Sequence, residues 1–164
     1  MASRSRSGPS LIFAALLFLF LSMRKKKTIV SLPIRNNNPF ALIQSKPSPW
    51  KGLAEDTGPF LKFTNVSDGV RAGFINLINT YIKRGRNTIK TIFPMYAPAA
   101  AGNNPAAYIE LVSRWTGLPT DQIIDTPEKL EKVGRAIERM EAGKKWVNDE
   151  DWNKGFAAAI NSTL

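Results

Sequence analysis

The stretch SDGVRAGFINLINTYIKRG, residues 67–85, is the most strongly amphipathic segment of the chain. Its apolar side chains recur at i, i+4, i+7, i+8 and i+11, which is the period of one buried face of an α-helix. These side chains are Val70, Phe74, Leu77, Ile78 and Tyr81. Ser67 is a favourable N-cap and Gly85 a favourable terminator, so the sequence predicts one long helix between them.

Further helices are predicted on the C-terminal side of this segment. Their bounds are residues 87–93, 105–117, 126–143 and 150–160. The first should stop at Pro94, because proline lacks an amide donor and clashes with the preceding turn. Thr126-Pro127-Glu128 combines an N-cap, a proline at the first helical position and an acid in the first turn, which is a strong start signal.

The segment before the long helix contains many helix breakers. Residues 36–63 hold four Pro, two Gly and three successive Asn, a density that excludes a long helix. Short alternating pieces such as Phe60-Leu61-Lys62-Phe63 favour a small β-hairpin lobe. The predicted fold class is therefore α+β and mostly helical, with a helical bundle and one small β element.

The N-terminal segment is apolar and flanked by cations. Residues 11–23 read LIFAALLFLFLSM, with arginines before them and Arg24-Lys25-Lys26-Lys27 after them. These 13 residues of helix span only about 20 Å, against roughly 30 Å of hydrocarbon. With Ser10 included and the flanking cations snorkelling, residues 10–23 are predicted to form a single transmembrane anchor. A cleaved signal peptide and a buried core helix are the rival interpretations, but a cluster of four cations is unsuited to a cleavage site.

This anchor divides the chain into four parts. Residues 1–9 are a basic tail, 10–23 the anchor, 24–34 a basic linker and 35–164 one soluble domain. Seven of the 23 basic residues lie within residues 1–35, which hold no acid. The rest of the chain has 16 basic and 13 acidic residues, so most of the net charge of +10 belongs to the tether. That charge would meet lipid headgroups, and no nucleic-acid partner is expected.

The composition restricts the possible chemistry. There is no Cys and no His, which excludes thiol nucleophiles, Ser-His-Asp triads and the usual zinc sites. Neither a metal nor an organic cofactor is predicted. Any catalysis must depend on carboxylates, Lys, Tyr, Ser or Thr.

Glu141 is the carboxylate in the most unusual position. It follows Ile137 by four residues, on the edge of an apolar stripe, and lies in the last turn before Gly143. Partial burial and the negative end of the helix dipole would both raise its pKa, as a general acid working near neutrality requires. The alternative is that Glu141 points outward or pairs with Lys144 or Lys145.

Three residues of the predicted β lobe are further candidates. Glu55 and Asp56 either belong to a turn or line a cleft. Trp50, between Pro49 and Lys51, is a candidate for stacking on a ligand such as a sugar ring.

An ordered set of short motifs over about residues 35–146 resembles a family of small phage virion-associated proteins. It opens with Arg35-Asn36-Asn37-Asn38-Pro39 and Trp50-x-Gly52. It continues with Phe60-x-x-Phe63, Gly69-x-Arg71-Ala72, Thr80-Tyr81, Gly85-x-Asn87-Thr88-Ile89, Tyr96-Ala97-Pro98, residues 103–105, Tyr108-Ile109 and Ala136-Ile137-x-x-Met140-Glu141-Ala142-Gly143. The opening is also similar to the β lobe of lysozyme-like peptidoglycan hydrolases, in which a Glu-x-Gly precedes the Asn-rich stretch instead of following it. A circularly permuted lysozyme-like domain would reconcile the two orders.

The resemblance implies a peptidoglycan-cleaving enzyme, a lytic transglycosylase or muramidase-like glycosidase, anchored in the virion membrane of a phage. Glu141 would be the catalytic acid, and Asp56 or Glu55 would stabilise the positive charge that forms on the sugar. The substrate-binding residues would be Asn37, Asn38, Trp50, Tyr96 and Tyr108. The expected partners are glycan strands, the lipid membrane through residues 10–23, and virion capsid or membrane proteins.

Two rival functions differ from this one in kind. Phe40, Met140 and Ala142 depart from the family pattern, which favours a domain that keeps the fold without the activity. Such a protein would have a structural role in the virion or bind the cell wall without chemistry. A third interpretation is nucleic-acid binding by a cluster of four cations, which are Lys83, Arg84, Arg86 and Lys90.

Overall fold

The computed structural model describes residues 30–43, 50–54 and 58–163, and most of these residues are helical. The α-helices are α1 (Leu32–Arg35), α2 (Val66–Asn76), α3 (Ile89–Tyr96), α4 (Pro105–Thr116), α5 (Pro127–Ala142) and α6 (Asp149–Thr163). The prediction of a mostly helical domain is confirmed.

The helix expected over residues 67–85 is present, but its pitch changes along its length. After α2, a π-helical segment covers Leu77–Tyr81 and a 3-10 turn covers Ile82–Arg84. It ends at Gly85 as predicted, with φ at 78°. Its start differs, because the N-cap is Asn65 and not Ser67. Asn65 Oδ1 accepts hydrogen bonds from the Asp68 amide at 2.9 Å and from the Ser67 hydroxyl at 2.8 Å, so Ser67 is already in the first turn.

Pro94 does not stop α3, and that prediction is wrong. The helix continues through it to Tyr96. Proline removes one amide donor, whose helical acceptor would be the carbonyl of Lys90. Lys90 and Pro94 are exposed, so water can bind that carbonyl, while Ile92 and Phe93 hold the helix against the core.

The predicted bounds of α4 and α5 are confirmed. Pro105 opens α4 and Gly117 ends it in the left-handed conformation. Thr126 caps α5 by accepting the amide of Lys129, and Gly143 ends the helix. These starts and ends are local features of the chain, which is why the sequence predicts them well.

The predicted β-hairpin lobe is wrong for the part of the chain that the structure describes, which contains no β-strand. In its place are two isolated antiparallel bridges, Ile43 with Phe60 and Leu53 with Phe63. Positive φ values at Ala41 and Gly52, 48° and 75°, turn the chain before a run of extended residues can form. Pro59, in the segment 58–63, also lacks the amide N–H needed for hydrogen bonding in a β-ladder.

The core is built around three aromatic side chains that contact one another, Phe40, Phe74 and Trp152. Phe40 contacts Phe74 with ring centroids 5.1 Å apart and Trp152 at 6.1 Å. All three are buried. Phe40 thus carries the loop before α2 into the core between α2 and α6. Those two helices pack against each other along their length.

Glu138 fixes the connection between α5 and α6. Its side chain is fully buried, and Oε1 accepts the amides of Trp146 and Val147, both at 2.7 Å. Arg135 donates to Oε2 at 3.1 Å and also pairs with Asp149. The turn after α5 is therefore held against the C-terminal half of that helix.

The predicted anchor, residues 10–23, lies outside the described residues. Within the described ranges, no helix combines the length and the apolar character needed to cross a bilayer.

Candidate functional site

An open cleft of about 660 Å³ runs between the loop that precedes α2 and the ends of four helices. Its lining is mainly aromatic and apolar, with a few polar side chains. The lining residues are Phe40, Ala41, Leu42, Ile43, Trp50, Phe60, Asn76, Tyr81, Met95, Tyr96, Ala97, Pro98, Ala101, Asn103, Tyr108 and Glu141. Ile43 and Met95 are two of the few large apolar side chains that are mostly exposed, so the rim of the cleft is itself apolar.

Among the described residues that line this cleft, Glu141 is the only carboxylate. It is the penultimate residue of α5, and the hydroxyl of Tyr108 on α4 donates to its Oε1 at 3.3 Å. Among the described residues it forms no salt bridge, and Lys145 pairs with Asp149 at 2.8 Å instead. The alternative that Glu141 pairs with a neighbouring lysine therefore does not hold.

Burial raises the pKa of Glu141 from 4.5 to about 7, and the hydrogen bond from Tyr108 acts in the opposite direction. Burial removes most of the water that would hydrate the carboxylate, and only one hydrogen-bond donor replaces it. The charged form is therefore disfavoured. Burial and the nearby Glu141 raise the pKa of Tyr108 to about 12, so its hydroxyl remains a donor at neutral pH. The raised pKa allows the Glu141 carboxyl to exchange a proton near neutral pH.

Tyr96 connects two walls of the cleft. Its hydroxyl donates to the backbone carbonyl of Phe40 at 2.6 Å, which ties the end of α3 to the loop before α2. Burial, and then the charge of Glu141, raise the pKa of Tyr96 well above its usual range. Because its hydroxyl is already used, Tyr96 presents its ring, and not a free donor, to the cleft.

The structure brings together four of the residues that the sequence singled out. Trp50, Tyr96, Tyr108 and Glu141 line the same cleft although they come from separate elements. Glu55 and Asp56 lie outside the described residues, and their role stays a prediction.

Asn37 and Asn38 lie near the site but are used within the protein. Asn38 Nδ2 donates to the carbonyls of Leu42 and Leu61, both at 2.9 Å, and its Oδ1 accepts the Leu42 amide. Asn37 Nδ2 donates to Phe63 O at 3.0 Å, and Asn37 does not line the cleft. Both amides therefore fix the loop that carries Phe40 into the core.

Asn76 and Tyr81 line the cleft but were missed by the sequence analysis. Asn76 directly precedes the π-helical segment and Tyr81 is its last residue. They are five residues apart, which is the hydrogen-bond spacing of a π-helix, so both lie on one face. Thr80 Oγ1 donates to Asn76 Oδ1 at 2.9 Å, and no described acceptor lies within hydrogen-bond distance of Asn76 Nδ2. The apolar periodicity of this segment is that of an ordinary α-helix, so the sequence contains no signal for the π-helical segment.

A smaller pocket of about 120 Å³ adjoins the cleft at Glu141. It is lined by Leu32, Pro33, Asn36, Asn38, Ala41, Phe60 and Glu141. Ala41, Phe60 and Glu141 belong to both cavities, so the Glu141 carboxyl lies where the two meet.

No group of three or more acidic side chains in the described ranges is placed to hold a metal ion. Comparison with known proteins gave no matching family model and no similar curated protein. The resemblance to phage virion-associated proteins therefore rests on the order of the short motifs.

Proposed function

We propose that this protein is a membrane-anchored peptidoglycan-cleaving glycosidase of a phage virion, with Glu141 as its general acid. The observation that carries the proposal is the partly buried carboxyl of Glu141, with a pKa raised to about 7, in a cleft lined by aromatic rings. Perturbed carboxyl groups in clefts are typical of catalytic acids.

Glu141 would protonate the glycosidic oxygen as the bond to the sugar breaks. The hydroxyl of Tyr108 donates to Oε1, so the acidic proton resides on Oε2. Transfer of that proton leaves a carboxylate beside an oxocarbenium-like sugar, and its negative charge stabilises this centre.

The aromatic lining supports a carbohydrate ligand. Trp50, Tyr81 and Phe60 offer apolar ring surface to the C–H faces of sugars. Asn76 Nδ2, which has no acceptor among the described residues, can donate to a sugar hydroxyl or carbonyl. A volume of about 660 Å³ gives room for more than one sugar ring.

A single carboxylate favours a lytic transglycosylase over a hydrolase. Retaining and inverting hydrolases both use a second carboxylate, as nucleophile or as base. Glu141 is alone among the described lining residues, so the nucleophile would be a hydroxyl of the sugar itself, which closes an anhydro ring. In a hydrolase, Glu55 or Asp56 would supply the second carboxylate.

The membrane location is part of the proposal and depends on residues 10–23. An anchor followed by four cations would keep the catalytic domain beside a bilayer. In a virion membrane, an enzyme of this kind would open the cell wall during entry or lysis.

The test uses the full-length protein in a mild detergent with purified peptidoglycan, and mass spectrometry of the products. Glu141→Gln should abolish cleavage, whereas Glu110→Gln, on the exposed face of α4, should keep it. Anhydro-sugar ends from the wild type would identify a transglycosylase, and reducing ends a hydrolase.

Two results would contradict the proposal. Equal cleavage by wild type and Glu141→Gln would remove Glu141 from the catalytic role. Binding of peptidoglycan without any product, by protein shown to be folded, would favour the rival function of a non-enzymatic wall-binding or structural protein.

A further inference from the structure

Four cations lie close together in the chain, in a stretch without any acid. They are Lys83, Arg84, Arg86 and Lys90, called here the cationic patch, and residues 69–109 around them contain no Asp or Glu. The patch extends from the 3-10 turn after the π-helical segment to the first turn of α3. Lys83 Nζ donates to the backbone carbonyl of Thr163 at 2.6 Å. Within the described ranges no member of the patch forms a salt bridge, so no described carboxylate neutralises its charge.

The loop between α4 and α5 lies beside this patch and presents an apolar side chain. The amide of Lys90 donates to Thr120 O, and the amide of Ile124 donates to Asn87 O, both at 2.8 Å. These two bonds fix residues 120–124 alongside the start of α3. Ile124 is buried, whereas Ile123 is 49% exposed. A large aliphatic side chain therefore lies at the surface beside the cations, on a backbone that two hydrogen bonds hold in place.

Acidic residues near the patch do not cancel its charge. Asp125 forms a salt bridge with Lys129 at 2.7 Å, so this pair adds no net charge. Asp121 is exposed on the same loop and forms no salt bridge within the described ranges. With the four cations of the patch set against Asp121, the region keeps a net charge of +3.

A fixed aliphatic side chain beside exposed cations favours an anionic lipid surface as the partner. Such a surface attracts basic residues to its headgroups and buries apolar side chains at the boundary with the acyl chains. A single-stranded nucleic acid, in contrast, is commonly bound by stacking of its bases on aromatic rings. Residues 82–91 and 118–124 contain no aromatic residue. The cations alone would suit either partner, and Ile123 favours the lipid.

We propose that the cationic patch and Ile123 form a second membrane-contact surface of this protein. The four cations bind the phosphates of anionic lipids, and the Ile123 side chain enters the boundary between headgroups and acyl chains. The inference goes beyond the proposed function, because it requires no cleavage of peptidoglycan. It takes from that proposal only the nearness of a bilayer.

This surface and the point where the tether joins the domain lie at opposite ends of α5. The chain enters α1 after Val30, and Leu32 of α1 lines the same pocket as Glu141 near the end of α5. At the other end, Lys129 Nζ in the first turn of α5 donates to the carbonyl of Ile123 at 3.2 Å. The 16 residues of α5 span about 24 Å. Contact at both ends would hold α5 parallel to the bilayer plane.

The experiment uses the full-length protein reconstituted in lipid vesicles, with one fluorescent label. Because the chain contains no Cys, Ile123→Cys provides a unique attachment site for an environment-sensitive fluorophore. Quenching by a spin-labelled lipid reports contact between residue 123 and the bilayer. Vesicles of phosphatidylcholine alone are compared with vesicles that also contain phosphatidylglycerol. Strong quenching is expected only with the anionic lipid, and about 1 M NaCl should abolish it, since the Debye length is then about 3 Å.

Charge variants show which residues make the contact. Arg84→Gln, Arg86→Gln and Lys90→Gln together should weaken it about a hundredfold, since each basic residue near an anionic surface contributes about a fivefold factor. Quenching should then fall to the level in neutral vesicles. The matched control removes the same charge at exposed positions elsewhere, by Lys51→Gln, Lys144→Gln and Lys154→Gln. This control should keep the quenching.

A second label tests the apolar part of the contact with the isoleucine in place. Pro119→Cys is exposed on the same loop and provides an alternative attachment site. In protein labelled there, Ile123→Gln should lower the quenching severalfold in anionic vesicles, because the amide group gains nothing by leaving water. This label also keeps the test decisive if Ile123→Cys is poorly folded.

Three results would overturn the inference. They are equal quenching in neutral and anionic vesicles, quenching in neither, and quenching that survives neutralisation of the patch. If protein without lipid quenching instead bound a fluorescent DNA oligonucleotide, and the triple substitution abolished that binding, the patch would be assigned to nucleic acid.

Failure of this surface and failure of the proposed membrane anchor give different results. Retention of the protein on vesicles in about 1 M NaCl tests the anchor, since insertion of an apolar segment is not screened by salt. Loss of retention would remove the anchor from the proposed function. Quenching in anionic vesicles at low salt, lost in the triple variant, would still support the second contact.

Discussion

At the scale of single residues, two glutamates of α5 lie three positions apart and have different environments. Glu138 is fully buried but accepts two backbone amides and an arginine N–H, so its environment compensates for the loss of water. Glu141 is less buried and has one hydroxyl donor at 3.3 Å. Glu138 therefore has a structural role, whereas Glu141 has the raised pKa expected of a general acid.

We expect Glu141 to make stability depend on pH. Because burial raises its pKa from 4.5 to about 7, the folded state binds a proton more tightly than the unfolded state does. The contribution of Glu141 to the free energy of unfolding is most favourable below about pH 4.5 and is lost as the pH rises to about 7. The loss is on the order of 3 kcal/mol, at 1.36 kcal/mol per pKa unit.

Urea denaturation of wild type and Glu141→Gln between pH 4 and pH 8 measures this loss. The advantage of the glutamine variant should grow across that interval and level off above about pH 7, because glutamine does not titrate. A difference between the two proteins that is constant with pH would contradict the raised pKa.

Glu138→Ala should destabilise the fold strongly. The change leaves the amides of Trp146 and Val147 buried without an acceptor, and it removes one partner of Arg135. The expected loss is about 2–5 kcal/mol in the free energy of unfolding. The control is Glu131→Ala on the same helix, which forms no described ion pair and should change stability by less than about 0.5 kcal/mol. Similar effects of the two substitutions would disprove the structural role of Glu138.

At the scale of elements, α2 and α6 pack closely because glycine lies at their contact. A Cβ added at Gly155 of α6 would lie 2.7 Å from Val70 Cβ and would also meet the backbone oxygen of Ser67. Also on α2, Gly73 lies against the ring of Phe40. The position of the loop that leads to the cleft thus depends on small residues within these helices.

Gly155→Ala should destabilise the protein although alanine is the better helix former by about 1 kcal/mol. Overpacking of the α2–α6 contact should cost about 1–3 kcal/mol, which should outweigh this gain in helix propensity. Asn153→Ala, on the exposed side of α6, is the control and should be neutral or slightly stabilising. Thermal unfolding of both variants measures the effect, and a higher melting temperature for Gly155→Ala would show that the helices can separate freely.

At the scale of the whole molecule, the cleft joins residues that are far apart in the chain. Trp50 and Tyr108 face a carboxyl from residue 141, and the Tyr96 hydroxyl binds the loop at Phe40. The described lining residues come from several elements, so the geometry of the site depends on how these elements pack together.

Cleavage of peptidoglycan by the full-length protein should decline on the alkaline side with an apparent pKa of about 7. A general acid must be protonated to act, and Glu141 loses its proton as the pH rises through that value. Glu110→Gln should follow the same profile, and Glu141→Gln should be inactive at every pH. An alkaline limb that persists in Glu141→Gln would assign the titration to another group.

The acidic side of the same profile separates the two mechanisms. A transglycosylase with Glu141 alone should retain activity down to the pH at which the protein unfolds. A hydrolase that needs an ionised Glu55 or Asp56 should lose activity near pH 4, giving a bell-shaped profile.

The sequence by itself determined most of the helices and their ends, and it singled out Glu141. N-caps, terminal glycines and apolar periods act within a few residues, so Thr126, Gly143 and the α5 stripe could be interpreted without the fold. It also predicted that Glu141 would lie at the edge of a buried face, because that depends only on its spacing from Ile137.

Only the tertiary structure decided that Glu141 faces a cleft and that the Asn38 side chain is bonded to the carbonyl of Leu61. Both facts depend on which distant segments approach each residue, and helical periodicity contains no such information. For the same reason the sequence predicted a β-hairpin where the chain forms only two bridges. Phe40 and Phe63 are buried in the core, and the chain turns at Ala41. These two features prevent strand formation in a segment whose local sequence favours β structure.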